Sequence, residues 1–419
     1  MSRNNYKDLL RSIGPGILFA GAAIGASHIV QSTRAGASYG FALLIFVILS
    51  NFFKYPFFEY GQRYTAATGE TIIDGYRKMG KIELLVFFVL NHLTSVISTA
   101  GVTLVTAALS AYLLDLFFGI QFNDITNLSI IILSSVILIL VLGKYSALDK
   151  IVKVLIVVLG ISTIVAFILA STKGMQAEQG FQAPEIFNYS GFIFLIALMG
   201  WMPAPIEAST WSSVWMKERA KETSHFPTVK ESLTDFRIGY IGTAILACFF
   251  LGLGAYVMFG TGQEFGSGVS FVKQVISLYT ETLGNWSLPI IAVIAFVTMA
   301  STTMTVTDAY PRTIARCMNI YFKDEKLIWY KLYLVGVSIV AILIIDVYEE
   351  KIKAMIDFAT TISFLAAPFF SYINYKLVIS DNMPEEHRPG KFLRYLSVFG
   401  IFFLSAFGLI FIYVRFFSE

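Results

Sequence analysis

A few ionisable and thioether side chains sit inside apolar runs of this chain, and they are the ones that could do chemistry. Glu207 follows Met202-Pro203-Ala204-Pro205-Ile206 in a stretch with no other charge. A carboxylate in such a place is a functional candidate by default. It could bind a cation or carry a proton, or it could occupy the free amides of a broken helix, where an anion is favoured. His28 closes the sequence Gly25-Ala26-Ser27-His28. Its imidazole could ligate a metal, shuttle a proton, bond a polar or anionic substrate, or satisfy a carbonyl released by a break. Met202 offers a soft thioether ligand, or fills the irregular space of a kink. Asp308, after Thr302-Thr303-Met304-Thr305-Val306-Thr307, could form a proton or sodium site or pair with Lys54 or Arg312. Arg312 is four residues on, on the same helical face, which favours the structural pairing. Lys54 and Glu59 are five residues apart, so an ion network with other groups suits them better than pairing together. Ser27, Ser209, Thr210, Thr360 and Thr361 add hydroxyls that could meet a polar substrate or satisfy helices.

Two stretches hold most of these groups. Gly14 to Gly40 begins as an apolar segment and is interrupted at Gly25-Ala26-Ser27-His28; Leu198 to Glu207 is interrupted by Pro203 and Pro205. Irregular backbone at membrane depth is tolerated where it lines a cavity or is buried in protein. Two interrupted hydrophobic segments at corresponding places in two halves point to a transporter's substrate site.

The composition requires a membrane for these elements. The 419 residues are 56% hydrophobic and 14% charged, with mean hydropathy +0.70; a soluble domain carries about 25% charged residues. Spans of roughly 20 residues fall at about 12–33, 42–67, 84–114, 125–142, 151–170, 191–215, 238–259, 288–314, 332–345, 355–377 and 393–416. The stretch 217–236 reads as the longest polar loop. With the N-terminus cytoplasmic, most of the 31 Lys and Arg residues fall on inner loops, beginning with Arg3, Lys7 and Arg11. The outer side then holds Arg34, Lys173, Lys273, Lys351, Lys353 and Arg415, an asymmetry that obeys the positive-inside rule. Eleven spans with the first and sixth broken fit two inverted five-helix repeats of the LeuT type, about 12–172 and 189–378, plus an extra helix at about 391–417. The chain is one transmembrane unit, 1–419.

Several classes are excluded. There is no Walker pattern, no zinc-protease His-Glu pair and no Gly-x-Ser-x-Gly elbow, so the chain reads as no enzyme and needs no cofactor. Cys248 and Cys317 form neither a disulfide framework nor a metal spacing. The basic loops follow topology, which leaves no nucleic-acid partner. No cleavable signal peptide is visible.

The chain resembles the NRAMP family of proton-coupled divalent-metal transporters at Gly14-Pro15-Gly16, Ala35-Gly36-Ala37-Ser38-Tyr39-Gly40, Ala67-Thr68-Gly69-Glu70 and Met202-Pro203. The family's metal-binding Asp-Pro-Gly-Asn of helix 1 reads Gly25, Ala26, Ser27 and His28 here. Its helix 6 Met-Pro-His reads Met202, Pro203 and Ala204. The helix 3 acids tied to proton movement fall on Thr99 and Val102, and the helix 10 Gln falls near Thr360. The resemblance implies an all-α fold of about eleven transmembrane helices and alternating access, with the protein acting as a monomer in the plasma (inner) membrane, its C-terminus outside.

The expected substrate site comprises Gly25, Ser27, His28, Met202, Ala204, Glu207 and Thr360. Met202, Glu207 and His28 would be the metal ligands; Asp308, Lys54 and Glu59 would form the coupling or ion network. The favoured substrate is a metal cation, with Glu207 replacing the missing helix 1 acid. The alternative is a non-metal solute, such as a small organic molecule or bicarbonate, because Gly25, Ala26 and Ala204 leave space. A coupling proton or sodium ion and the lipid bilayer complete the expected partners.

Overall fold

A backbone within hydrocarbon has no water to bond, so each apolar stretch satisfies its own amides by coiling. The computed structural model describes residues 15–122, 124–142, 145–266, 268–349 and 351–417. Among them there are helices and no strands. Arg3, Lys7, Arg11 and Lys144, read as inner-loop charges, lie outside the described residues.

The first span consists of α1 (Pro15–Ala23), a π-turn (Ser27–Ser32) and α2 (Thr33–Tyr39). There follow α3 (Leu44–Thr68), α4 (Ile72–Met79), α5 (Lys81–Phe118), α6 (Ile125–Val141) and α7 (Tyr145–Lys173). The second broken span is α8 (Tyr189–Gly200) with α9 (Ala208–Thr223). The chain continues through α10 (Val229–Val257), α11 (Gly268–Leu283), α12 (Leu288–Phe322), α13 (Leu327–Tyr348), α14 (Ile352–Ile379) and α15 (Lys391–Phe417). The helices α5, α10, α12, α13, α14 and α15 are long and apolar enough to cross a bilayer. Of the other expected spans, two are shorter apolar helices, Ile125–Val141 and Val157–Lys173, two are the broken ones, and α3 is a 25-residue helix that carries Lys54, Glu59 and Arg63. This is an all-α membrane protein of the LeuT-type architecture.

The broken spans lie at the centre. α10 packs along α1, the π-turn, α2 and α3; α12 packs on α5, α1 and α9; α14 packs on α8, α5 and α3. Burial follows the same order. In α12, 72% of the most apolar window is buried, against 28% in α15, which turns Phe399 and Phe402 outward. The α5–α12 contact is held by hydroxyls: Thr303 Oγ1 lies 2.8 Å from Thr106 Oγ1 and donates to the Val102 carbonyl at 3.2 Å. Such bonds join helices where the hydrophobic effect between them is absent.

The structure corrects several boundaries. The stretch 217–236 is not one loop: α9 runs through to Thr223 and α10 begins at Val229, capped by a Thr228/Glu231 box. Arg316 and Cys317, beyond the expected span 288–314, belong to the long α12, which runs to Phe322. Two helices were not expected, α4 and α11. α4 starts at a Thr71/Asp74 capping box, and Asp74 pairs with Arg316 at 2.5 Å, tying the short helix to the end of α12.

Candidate functional site

The first break begins where α1 stops at Ala23 and the chain turns through Ile24 and Gly25 into the π-turn. Hydroxyls take up the carbonyls that the wider turn leaves free. Ser32 Oγ donates to the Ser27 carbonyl and Thr33 Oγ1 to the His28 carbonyl, at 3.2 and 3.3 Å. Ser27 Oγ lies against the Ala23 carbonyl and His28 Nδ1 and 3.2 Å from the Pro203 carbonyl; its single proton serves one of these acceptors at a time, and its position joins the two breaks. The second break runs from Trp201 to Glu207, between α8 and α9, and includes a cis Met202–Pro203 bond.

Between the breaks lies a cavity of about 30 Å³. Ala22, Ala23, Ala26 and Ser27 form one wall; Trp201, Pro203, Ala204 and Pro205 form the facing wall. Ser98 and Val102 of α5, Trp211 of α9, and Thr302 and Val306 of α12 complete it. Its polar side chains are the hydroxyls of Ser27, Ser98 and Thr302, and no ionisable side chain lines it. Trp201 and Trp211 belong to the second break and the helix that follows it. They are buried cavity walls, and Trp201 Nε1 donates to Ser363 Oγ at 2.9 Å.

The expected site residues divide into two sets. Ser27 and Ala204 line the cavity. Gly25 does not provide space: a Cβ there would stand 2.4 Å from Thr302 Oγ1, so this glycine is required by the close approach of α12. His28 faces away, toward α10, with Nε2 2.9 Å from the Thr243 carbonyl and Nδ1 2.7 Å from Ser27 Oγ. A carbonyl only accepts, which places the ring proton on Nε2 and leaves Nδ1 as the acceptor. Both nitrogens are therefore occupied within the protein. Met202 is fully buried behind the cavity wall. Thr360 donates to the Ile356 carbonyl at 2.8 Å and accepts from Gln31 Nε2 at 3.3 Å. No group of three or more His, Cys, Asp or Glu side chains that could hold a metal occurs among the described residues.

Glu207 stands at the start of α9, but its side chain makes no capping bond to the helix amides. It turns to α12, where the Tyr310 hydroxyl donates to Oε1 at 3.0 Å; Oε2 has no hydrogen-bond partner among the described residues. The Tyr310 hydroxyl also lies 3.2 Å from Ser98 Oγ, which faces the cavity. A line of hydroxyls thus links the cavity to the buried carboxylate. Lys54 of α3, also fully buried, donates to the carbonyls of Met199 and Gly200 at 2.6 and 2.8 Å. Asp308 pairs with Arg312 at 2.7 Å and accepts from the Tyr330 hydroxyl at 2.7 Å, which anchors α12 to α13. Glu59 pairs with Arg63 at 2.5 Å and lies 3.8 Å from Arg237, which joins α3 to α10.

One cluster was not anticipated. Gln31 of the π-turn is fully buried and donates to Asp357 Oδ1 at 3.0 Å. Arg34 holds the same carboxylate with two bonds of 2.7 and 3.0 Å, and lies 5.0 Å from the Phe194 ring of α8. The signal was present: Gln31 and Arg34 are polar residues three apart in an interrupted apolar span, but Arg34 was read as a loop charge. Further along α14, Asn374 accepts from Tyr76 and donates to the Phe57 carbonyl and Ser209 Oγ, both at 3.0 Å.

These features agree with comparisons to known proteins. PM0681 of Pasteurella multocida, an uncharacterized protein, is 38% identical over 98% of this chain and 94% of its own length. The divalent metal cation transporter MntH of Staphylococcus saprophyticus is 23% identical over 89% of this chain and 84% of its own. A solved manganese transporter of Eremococcus coleocola, in variant form, superposes with a TM-score of 0.72 at 15% identity, covering 100% of this chain and 90% of that one. The profile of the natural resistance-associated macrophage protein-like (Nramp) family matches residues 16–414, and the chain belongs to that family of transporters.

Proposed function

We propose that this family member is a secondary transporter whose cargo is a small polar solute without net positive charge, carried through the cavity between the two breaks. The observation that supports this is the cavity wall: hydroxyls and apolar groups, with no carboxylate or imidazole. A divalent cation requires oxygen or nitrogen ligands that return its lost hydration, carboxylates above all for the hard ions. Here the nearby carboxylate, Glu207, is turned to Tyr310. The cavity in this arrangement holds about one water, so the cargo enters as the bundle opens. Glu207 serves as the coupling-proton site. It senses the cavity through Ser98 and Tyr310, and its unpartnered Oε2 is free to take a proton.

The protein works as a monomer in the plasma (inner) membrane with its N-terminus inside. The inverted repeats at about 12–172 and 189–378 rock against each other, with 391–417 as an added helix.

A metal cation is the second reading, supported by the names of MntH and the manganese transporter. Uptake into proteoliposomes decides between the two. Manganese and magnesium should show no saturable uptake, while a panel of small organic solutes and bicarbonate should yield a proton-driven substrate whose uptake loses its proton dependence in Glu207→Gln. Saturable metal uptake abolished by Glu207→Gln would overturn this reading in favour of the metal.

A further inference from the structure

The end of α8 presents backbone carbonyls with no helical amide to receive. The helix stops at Gly200, and the last carbonyls of any helix lack intrahelical donors. They also carry the negative end of the helix dipole. Two backbone donors reach the Met199 carbonyl, the Trp201 N–H at the helix end and Met202 N at 3.4 Å, and none is recorded for the Gly200 carbonyl among the described residues. Close packing holds this end in place: a Cβ on Gly200 would come within 1.9 Å of the Thr360 carbonyl. In transporters with broken helices, unwound carbonyls and half-helix C-terminal ends are where a dissolved sodium ion or proton is held.

Here that place is taken. The Lys54 ammonium sits on the Met199 and Gly200 carbonyls at 2.6 and 2.8 Å, and the residue is fully buried. No carboxylate lies within ion-pairing distance of it among the described residues, so its partners are the carbonyls themselves. A buried ammonium is costly unless it is well bonded. Its balancing charge, Glu207, lies beyond pairing distance at the start of α9, the other side of the same break. A basic group therefore stands at a helix C-terminus and an acidic group at a helix N-terminus, each at the end whose dipole favours its charged form.

We infer that Lys54 is a tethered cation that occupies the ion position at the broken end of α8, so that the transport cycle of this protein uses no sodium or other dissolved cation there. The inference rests on the transport reading above and deepens it: the break is neutralised by the chain itself, and the only ion left to couple is the proton at Glu207.

The test needs no cargo, so its failure is separable from failure of the substrate assignment. Purified full-length protein is melted in sodium, potassium, ammonium and choline salts at constant ionic strength. The wild type should melt at one temperature in all four. Lys54→Met, which keeps the aliphatic stem, and Lys54→Ala should melt lower in choline. Their loss should be reversed, saturably, by sodium or ammonium filling the vacated carbonyls. Recovery of folded variant only from sodium- or ammonium-containing buffers gives the same answer. Three results overturn the inference: a wild-type melting temperature that rises saturably with sodium, a folded variant indifferent to every small cation, or variants that no cation recovers in folded form. Lys54 would then be a helix cap and nothing more.

Discussion

The Arg34–Asp357 pair ties α2 to α14; taken as the contact that holds the bundle closed, it predicts that Asp357→Asn opens the cavity. The carboxylate receives both Arg34 bonds, at 2.7 and 3.0 Å, and the Gln31 amide at 3.0 Å. Hydrogen bonds to charged groups contribute about 1.5–3 kcal/mol each, but these side chains are 11% and 27% exposed. Solvent screening reduces the worth of such a pair, so that losing the charge while keeping one acceptor oxygen destabilises the closed form by about 1–2 kcal/mol. That moves the balance of closed and open forms about 5–30-fold. The assay places a cysteine at Ala26, which lines the cavity and is 2% exposed. Cys248 and Cys317 are replaced by Ser, and the rate of labelling by a membrane-impermeant maleimide is followed from outside. Labelling tracks the open population when opening and closing are fast, so the rate should rise by about the same 5–30-fold factor. An unchanged rate, in a variant with wild-type melting temperature, would refute the assignment of this cluster as the closing contact. An equal rise on breaking Lys376–Glu83, which joins α14 to α5 elsewhere at 2.8 Å, would refute it as well.

Further outcomes follow from the packing of the breaks. Gly25→Ala drives a Cβ to 2.4 Å from Thr302 Oγ1 and should cost about 1–3 kcal/mol as overpacking; Gly25→Ala with Thr302→Ala should recover most of the melting temperature in a double-mutant cycle. Gly200→Ala meets the Thr360 backbone carbonyl at 1.9 Å, so no side-chain substitution should rescue it, as folded yield will report. His28→Ala removes the Nε2 bond to the Thr243 carbonyl and should destabilise by about 0.5–1.5 kcal/mol. Because both its nitrogens are bound within the protein, the pH profile of uptake should keep its midpoint. Tyr310→Phe removes the donor to Glu207 Oε1 and cuts the link to Ser98; it should weaken proton dependence of uptake while leaving the melting temperature less affected than His28→Ala does.

The spans could be read in advance because hydrocarbon imposes one requirement on every residue of a helix, and a run of apolar side chains records it directly. The breaks could be read for the same reason in reverse, since Gly25 and Pro203 interrupt such runs. α4 escaped because it has only eight residues, Ile72–Met79, and mixes Asp74, Arg77 and Lys78 with its apolar face. α11 escaped because its sixteen residues carry the mixed face of a helix lying against the bundle. Neither is a span, and hydropathy looks for spans.

The site was harder to read because a broken helix loses the periodicity that says which way a side chain points. Within an intact helix, spacing places a residue on a face; across Gly25-Ala26-Ser27-His28 the turn widens and that rule lapses. Ser27 and His28 are adjacent, yet the serine reaches across to the Pro203 carbonyl while the histidine bonds α10. Partners are also remote in the chain: Gln31 and Asp357 are separated by 326 positions, and Lys54 and Met199 by 145. Polarity inside an apolar run is visible without its partner, which is why Glu207 and Lys54 stood out. What each contributes depends on which end of which half-helix it meets. Glu207 begins α9 and caps nothing, while Lys54 caps a helix to which it does not belong. The resulting arrangement keeps both side chains out of the cavity wall, and the proposal of a cargo without net positive charge rests on that separation.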